Sequence, residues 1–197
     1  MERFLVLLVL LLIVSGTTSA SEKSWKSDAA HSGISFSVSH MVISDVEGRF
    51  KEFEAMMRSS KDDFTDAIIE VTVKPNSIDT DNEKRDSHLR SADFFDSEKY
   101  PEATFHSISI KKTGKDAYTI KGDLTIRGVT KPVELKAKLR GVAKDPWGGT
   151  RAGFKATTTI NRTEWGLVWN KTLETGGLLV GEDVDLTINV EFVLEKS

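Results

Sequence analysis

The chain of 197 residues contains no cysteine. That absence excludes a disulfide-stapled scaffold, thiol chemistry and the acylated cysteine of a bacterial lipoprotein. Histidine is scarce as well. His31, His40, His88 and His106 are the only four, and none stands at the close spacing of a helical zinc motif. No G-x-S-x-G turn is present to carry a hydrolase nucleophile, and no glycine-rich loop to cradle a nucleotide. Positive charge is not in excess: 27 Lys and Arg against 30 Asp and Glu leave a formal charge of −3. A nucleic-acid partner held by net positive charge is therefore not expected. With so many carboxylates, neighbours such as Asp62 and Asp63, or Asp93 and Asp96, arise by chance and read as solvated surface. Arg85 and Asp86 read as a local charge network, not as a catalytic dyad. The residues make no case for catalysis, for a metal or for a cofactor.

Long apolar runs are also missing, with one exception. Phe4 to Val14 is uninterrupted, and small residues follow it from Ser15 to Ala20. Eleven residues are too few to span a bilayer comfortably as a helix, which takes about 20. The pattern predicts a secretory signal peptide over 1–20, cut after Ala20, with an uncleaved anchor as the alternative. Residues 21–197 then form one exported domain with no stable membrane anchor. Ten Phe, four Trp and two Tyr are spread along the chain, which a disordered protein would not carry.

What remains is alternation. Val184, Leu186, Ile188, Val190, Phe192 and Leu194 occupy every second position at the C-terminus. Val133, Leu135, Ala137 and Leu139 repeat the rhythm among lysines and glutamate, and Ile34, Phe36 and Val38 repeat it among serines. A period of two puts one set on each face of a strand. Weaker versions run through 67–73, 105–110, 118–126 and 152–160. About eight strands on short connections predict an all-β domain, as a closed up-and-down barrel or as two stacked sheets. The closed barrel fits better, and its charged outer alternates put it in water rather than in a membrane. The segment Asp81 to Tyr100 breaks the rhythm and reads as one or two short helices over the barrel, capped by Asp79, Thr80 or Asp81. His40 continues the apolar phase of strand 34–38 and so could point inward.

The motifs Trp25-Lys-Ser-Asp28, His31 to His40, Val46-Glu-Gly48-Arg49-Phe50 and Ser77 to Thr80 together resemble the YceI-like, polyisoprenoid-binding family. So do Arg85-Asp86-Ser-His88-Leu89 through Asp96, Tyr100-Pro101, Gly122 to Val133, and Asn161-Arg162-Thr163 with Gly166. The resemblance spans nearly all of the exported domain. It implies an eight-stranded antiparallel, lipocalin-like barrel in the periplasm, with secretion as the alternative. It also implies an isoprenoid or similar amphiphilic lipid, such as a polyprenyl or quinone tail, held in an apolar interior. Lipid transport or envelope stress would be the setting.

Strand parity and segment position nominate the lipid-binding residues. Phe36, Val38, His40, Phe53, Ile69 and Val71 come from the first half of the barrel. Leu89, Phe94 and Phe95 come from the helical segment. Phe105, Ile126, Leu135, Phe154, Trp165, Leu186 and Ile188 complete the set. Two other functions stay open at this point. One is a lipid-modifying enzyme using His40, His88 or His106 as acid and base. The other is an interaction or stress module whose core is filled. Exposed aromatics near a barrel mouth would allow a homodimer.

Overall fold

A computed structural model describes residues 21–173 and 176–196. The signal-peptide reading of 1–20 falls outside the described residues. Eleven strands share one antiparallel sheet: β1 (Lys23–Ser27), β2 (Gly33–His40), β3 (Ser44–Phe50), β4 (Phe53–Ser59), β5 (Ile68–Val73), β6 (Ile78–Asp79), β7 (Ala103–Lys112), β8 (Ala117–Ile126), β9 (Val129–Lys144), β10 (Thr150–Asn161) and β11 (Val180–Leu194). Three pairs of strands run end to end. β11 pairs with β2 through its first residues and with β1 through its last, so β1 and β2 share one lane. β2 pairs with β3 and β1 with β4, which makes β3 and β4 a second lane. β5 pairs with β4 and β6 with β3, which makes a third. Eight lanes in sequence order result, and the β1–β11 pairing closes them. The eight-stranded antiparallel barrel anticipated from the alternation is therefore the observed fold. Closure leaves few unpaired edges.

Four strands escaped the alternation reading, for physical reasons. β1 carries a single apolar residue, Trp25, among lysines and serines. β3 has glycine where an apolar side chain would mark the phase. β4, Phe-Glu-Ala-Met-Met-Arg-Ser, has Phe53 as its one strand-favouring residue, and the others favour helices or have no strand preference. β6 is only two residues long.

The two ends of the barrel differ. At one end the loop between β4 and β5 folds inward. Phe64, in the left-handed region at φ 57°, meets Trp25 edge-on at 5.7 Å and Phe154 at 5.3 Å. The Tyr118 hydroxyl donates to the Asp63 carbonyl at 3.0 Å and fixes that loop. The other end is covered by helix α1 (Glu83–Arg90), the turns after it, and the segment that follows β10.

The charged segment forms one helix rather than two, and its cap is Asn82, whose side chain accepts from the Arg85 amide at 3.0 Å. The three caps expected from sequence are otherwise engaged. Asp79 receives Arg49 and Lys51, Asp81 sits in the left-handed region at φ 57°, and Thr80 serves the helix differently. The Thr80 amide and hydroxyl both donate to buried Asp86, at 2.9 and 2.5 Å. Arg85 donates to the Thr80 hydroxyl and carbonyl, both at 2.7 Å. Arg85 and Asp86 thus fasten the helix to the strand before it.

Candidate functional site: an apolar cavity along the barrel

The inward residues do not fill the barrel. A cavity of about 260 Å³ runs along it from Met57, Phe64 and Ala67 at the sealed end to Leu167 and Val180 under the helical end. Each lane supplies alternating residues: Ile34, Phe36 and Val38 from β2; Phe105 and Ile110 from β7; Val133, Leu135 and Ala137 from β9; Val184 to Phe192 from β11. Among the described residues, only Tyr118, Thr158, Arg162 and Trp165 bring polar side-chain atoms to this wall. The Trp165 indole donates to the Leu124 carbonyl at 3.0 Å. The remaining surface is one that hydrocarbon wets and water does not.

Two glycines keep the lumen open. A Cβ on Gly48 would lie 2.3 Å from the tip of the Phe36 ring, and one on Gly122 would lie 2.4 Å from the His106 carbonyl and 2.5 Å from the Phe105 ring. Both rings therefore lie against the strand beside them, in the place a side chain would take, instead of crossing the interior. Ala137 and Ala156, paired between β9 and β10, keep the middle of the barrel wide.

Of the sixteen nominated residues, the structure brings Phe36, Val38, Ile69, Val71, Leu89, Phe94, Phe95, Phe105, Ile126, Leu135, Phe154, Trp165, Leu186 and Ile188 to the cavity wall. It does not bring His40 or Phe53 there. His40 pairs with Val180 and Ser44 beyond the last β2 residue on the wall. Phe53 is the first residue of β4 and faces a shallow outer groove beside Glu52 and Glu102.

None of the four histidines lines the cavity. His88 bonds Asp93 at 2.9 Å and meets the Phe94 and Trp169 rings edge-on at 5.1 and 4.7 Å. His106 lies beside Glu70, and His31 beside Asp28. The cluster with metal-ligand spacing among the described residues, Asp28, His31 and Glu191, already holds a cation. The Arg151 guanidinium donates to Asp28 at 2.7 Å, to Asp145 at 3.0 Å and to Glu191. The Arg151 hydrogen bond, ahead of His31 and the Ala30 amide, holds the Asp28 carboxyl well below the usual carboxylate range.

Sequence reasoning missed Arg162 as a wall residue. It continues the inward phase of β10 and is buried, with no ion-pair partner among the described residues. Its Nε donates to the Gly181 carbonyl at 2.8 Å, Nη1 to those of Leu167 and Trp169, and Nη2 to that of Val180 at 3.3 Å. Burial pushes its guanidinium down from the ordinary arginine value, with Glu182 acting the other way. Four carbonyl dipoles take the place of a carboxylate, and in exchange the side chain pins residues 167–169 and 180–181 at the barrel end. An arginine between Asn161 and Thr163 looks solvated in sequence, and the one local signal for it was that it extends the alternation of 152–160 by one step.

Met57 and Phe64 are buried at the sealed end, and at the other end Phe36, Val38, Leu89 and Phe95 are half-buried beside buried Phe94, Trp165 and Leu167. Phe64 closes one end, and the half-buried wall residues of the other end lie beside the β2–β3 hairpin, α1 and residues 167–173 and 176–181.

Comparison with known proteins gives concordant matches. The YceI-like domain family matches residues 25–192. Protein YceI of Salmonella newport is 40% identical over 186 residues, covering 94% of each chain. A solved YCEI protein of Campylobacter jejuni is 34% identical with a TM-score of 0.68, over 81% of this chain and 90% of that one. A polyisoprenoid binding domain from Saccharophagus degradans, implicated in plant cell wall breakdown, shares the fold with a TM-score of 0.66 at 15% identity, over 87% of this chain and 98% of that one.

Proposed function

The chain belongs to the YceI-like domain family, and from that premise we propose that it is a non-catalytic carrier of a long-chain isoprenoid or similar amphiphile. The apolar tail lies in the barrel and the head group at the helical end. The observation that carries the reading is the continuous apolar cavity, sealed by Phe64 at one end and rimmed by half-buried apolar residues at the other. Burying hydrocarbon is worth about 0.8 kcal/mol per carbon, so one five-carbon unit contributes roughly 4 kcal/mol before association costs. A few units suffice for useful affinity. Tyr118 and Arg162 are the titratable side chains on the wall among the described residues, and both are committed to backbone carbonyls. The Saccharophagus relative, a polyisoprenoid binding domain, supports the ligand class. The apolar run and small residues of 1–20 support export to the periplasm.

The test is to purify the protein from its native envelope, extract it and identify bound lipid by mass spectrometry, then titrate the stripped protein with a prenyl lipid. A stoichiometric long-chain lipid, or one-to-one binding of the added lipid, is expected. Ala156→Phe places a ring across the middle of the barrel and is expected to cut prenyl-chain affinity at least about tenfold, with little change in circular dichroism. Absence of both native lipid and prenyl binding would overturn the proposal.

A further inference from the structure

The β2–β3 hairpin ends in Met41-Val42-Ile43, and these three apolar residues face water. Val42 is 79% exposed and Ile43 81%. Turn geometry does not call for these residues. Met41 and Val42 have φ of 54° and 64°, the left-handed region in which hairpin tips normally place glycine or asparagine. A β-branched residue there costs conformational energy and recovers none by packing, because the side chain touches solvent. A composition that costs folding and buries nothing points to something the tip meets outside the chain.

The tip stands at the helical end of the cavity. The Met41 amide donates to the Leu179 carbonyl at 2.9 Å, and His40 pairs with Val180, itself a wall residue. Val168 and Leu178, exposed on the adjoining segment, extend the same apolar rim. Trp147, the most exposed large apolar side chain away from this end among the described residues, stands on the β9–β10 hairpin at the sealed end.

Building on the carrier reading, we propose that Met41, Val42 and Ile43 dock the mouth of the barrel onto a zwitterionic bilayer surface. An amphiphile could then pass between membrane and cavity without its tail crossing water. A second copy of the chain fits less well. A stable interface buries about 800 Å² on each partner, more than a three-residue tip offers. The free edge of β3 beside it carries exposed Asp45 and Glu47, which oppose edge-to-edge pairing. Those carboxylates, with exposed Glu182 and Asp183 on the adjoining strand, also disfavour an anionic surface. Three side chains give reversible association, as a carrier that must leave the membrane requires.

The test uses phosphatidylcholine vesicles loaded with a fluorescent polyprenol. The rate of transfer to protein is measured alongside the equilibrium affinity for the same probe added from ethanol. The double substitution Val42→Asp and Ile43→Asp is expected to slow transfer at least about tenfold while affinity stays within about twofold. Trp147→Ser should change neither. Vesicles rich in phosphatidylglycerol should co-sediment less wild-type protein than phosphatidylcholine vesicles. Val42→Gly, which relieves the backbone, is expected to raise thermal stability and still weaken vesicle co-sedimentation. Transfer and co-sedimentation unchanged by the double substitution would overturn the docking proposal, as would a wild-type dimer that the substitution splits without any vesicle association. If no variant binds the ethanol-delivered probe, the carrier reading fails, and vesicle co-sedimentation alone then decides the docking proposal.

Discussion

At the scale of single residues, glycine decides how much room the barrel has. Gly122 faces inward opposite Ser107, where β7 bulges between Ser107 and Ser109 and turns Ile108 out to solvent. A methyl group at Gly122 would collide with a backbone carbonyl at 2.4 Å, and a carbonyl within a ladder cannot move aside as a flexible side chain can. Gly122→Ala is expected to cost about 1–3 kcal/mol in urea unfolding and to weaken prenyl binding by pushing Phe105 into the lumen. Gly153 is the counterpart. A methyl there would meet only the Arg140 Cβ at 3.6 Å, an ordinary contact, and Gly153→Ala should stay within about 1 kcal/mol of the parent. Equal losses at both positions would remove the distinction.

At the scale of elements, α1 is held less by its own sequence than by the strand before it. Its eight residues are nearly all polar and bury only Asp86, so propensity and amphipathic packing contribute little. The Asn82 cap and the convergence of Arg85 and Asp86 on Thr80 supply what the helix lacks. Asp86→Ala would leave the Thr80 amide buried without its acceptor, at a cost of about 1–3 kcal/mol. The expected signature is local. Amides of α1 should exchange with solvent faster than in the parent, while those of β10 and β11 keep their relative protection. A uniform change across the barrel would contradict this account.

At the scale of the whole molecule, paired carboxylates tie stability to pH. Asp28 is held down by Arg151, Asp79 by Lys51 and Arg49, Asp145 by Arg151, and Asp66 chiefly by the Ser59 hydroxyl. A folded-state value below the unfolded one means that the unfolded chain binds more protons as the solution turns acid. The stabilisation is complete above about pH 4, the ordinary aspartate value, and is lost as pH falls below it. Urea midpoints should be flat from neutral pH to about pH 5 and should fall steeply below pH 4. Asp28→Asn should lower stability at neutral pH and flatten that acid slope. An unchanged slope would show that the Asp28–Arg151 contact does not persist in solution.

Much of this architecture was legible in one dimension, because the period of two is a local property. The parity of 184–194, 133–139 and 34–38 identified inward residues, and fourteen of the sixteen nominated positions stand on the cavity wall. The absence of cysteine ruled out disulfides without reference to structure, and the break in alternation from Asp81 to Tyr100 located the helix. The misses share one cause, which is that they depend on neighbours distant in the chain. β1, β3 and β4 become strands by pairing with partners, since their own residues favour that conformation weakly. Phase turned His40 inward and position in the chain placed Phe53 there, but neither knows where a lane leaves the barrel. Arg162 is buried because the chain returns at 167–169 and 180–181 to offer it carbonyls. The sequence by itself therefore determined which face of each strand is apolar. Only the tertiary structure decided that those faces enclose a lumen, because its width depends on Phe36 and Phe105 lying against glycines of neighbouring strands.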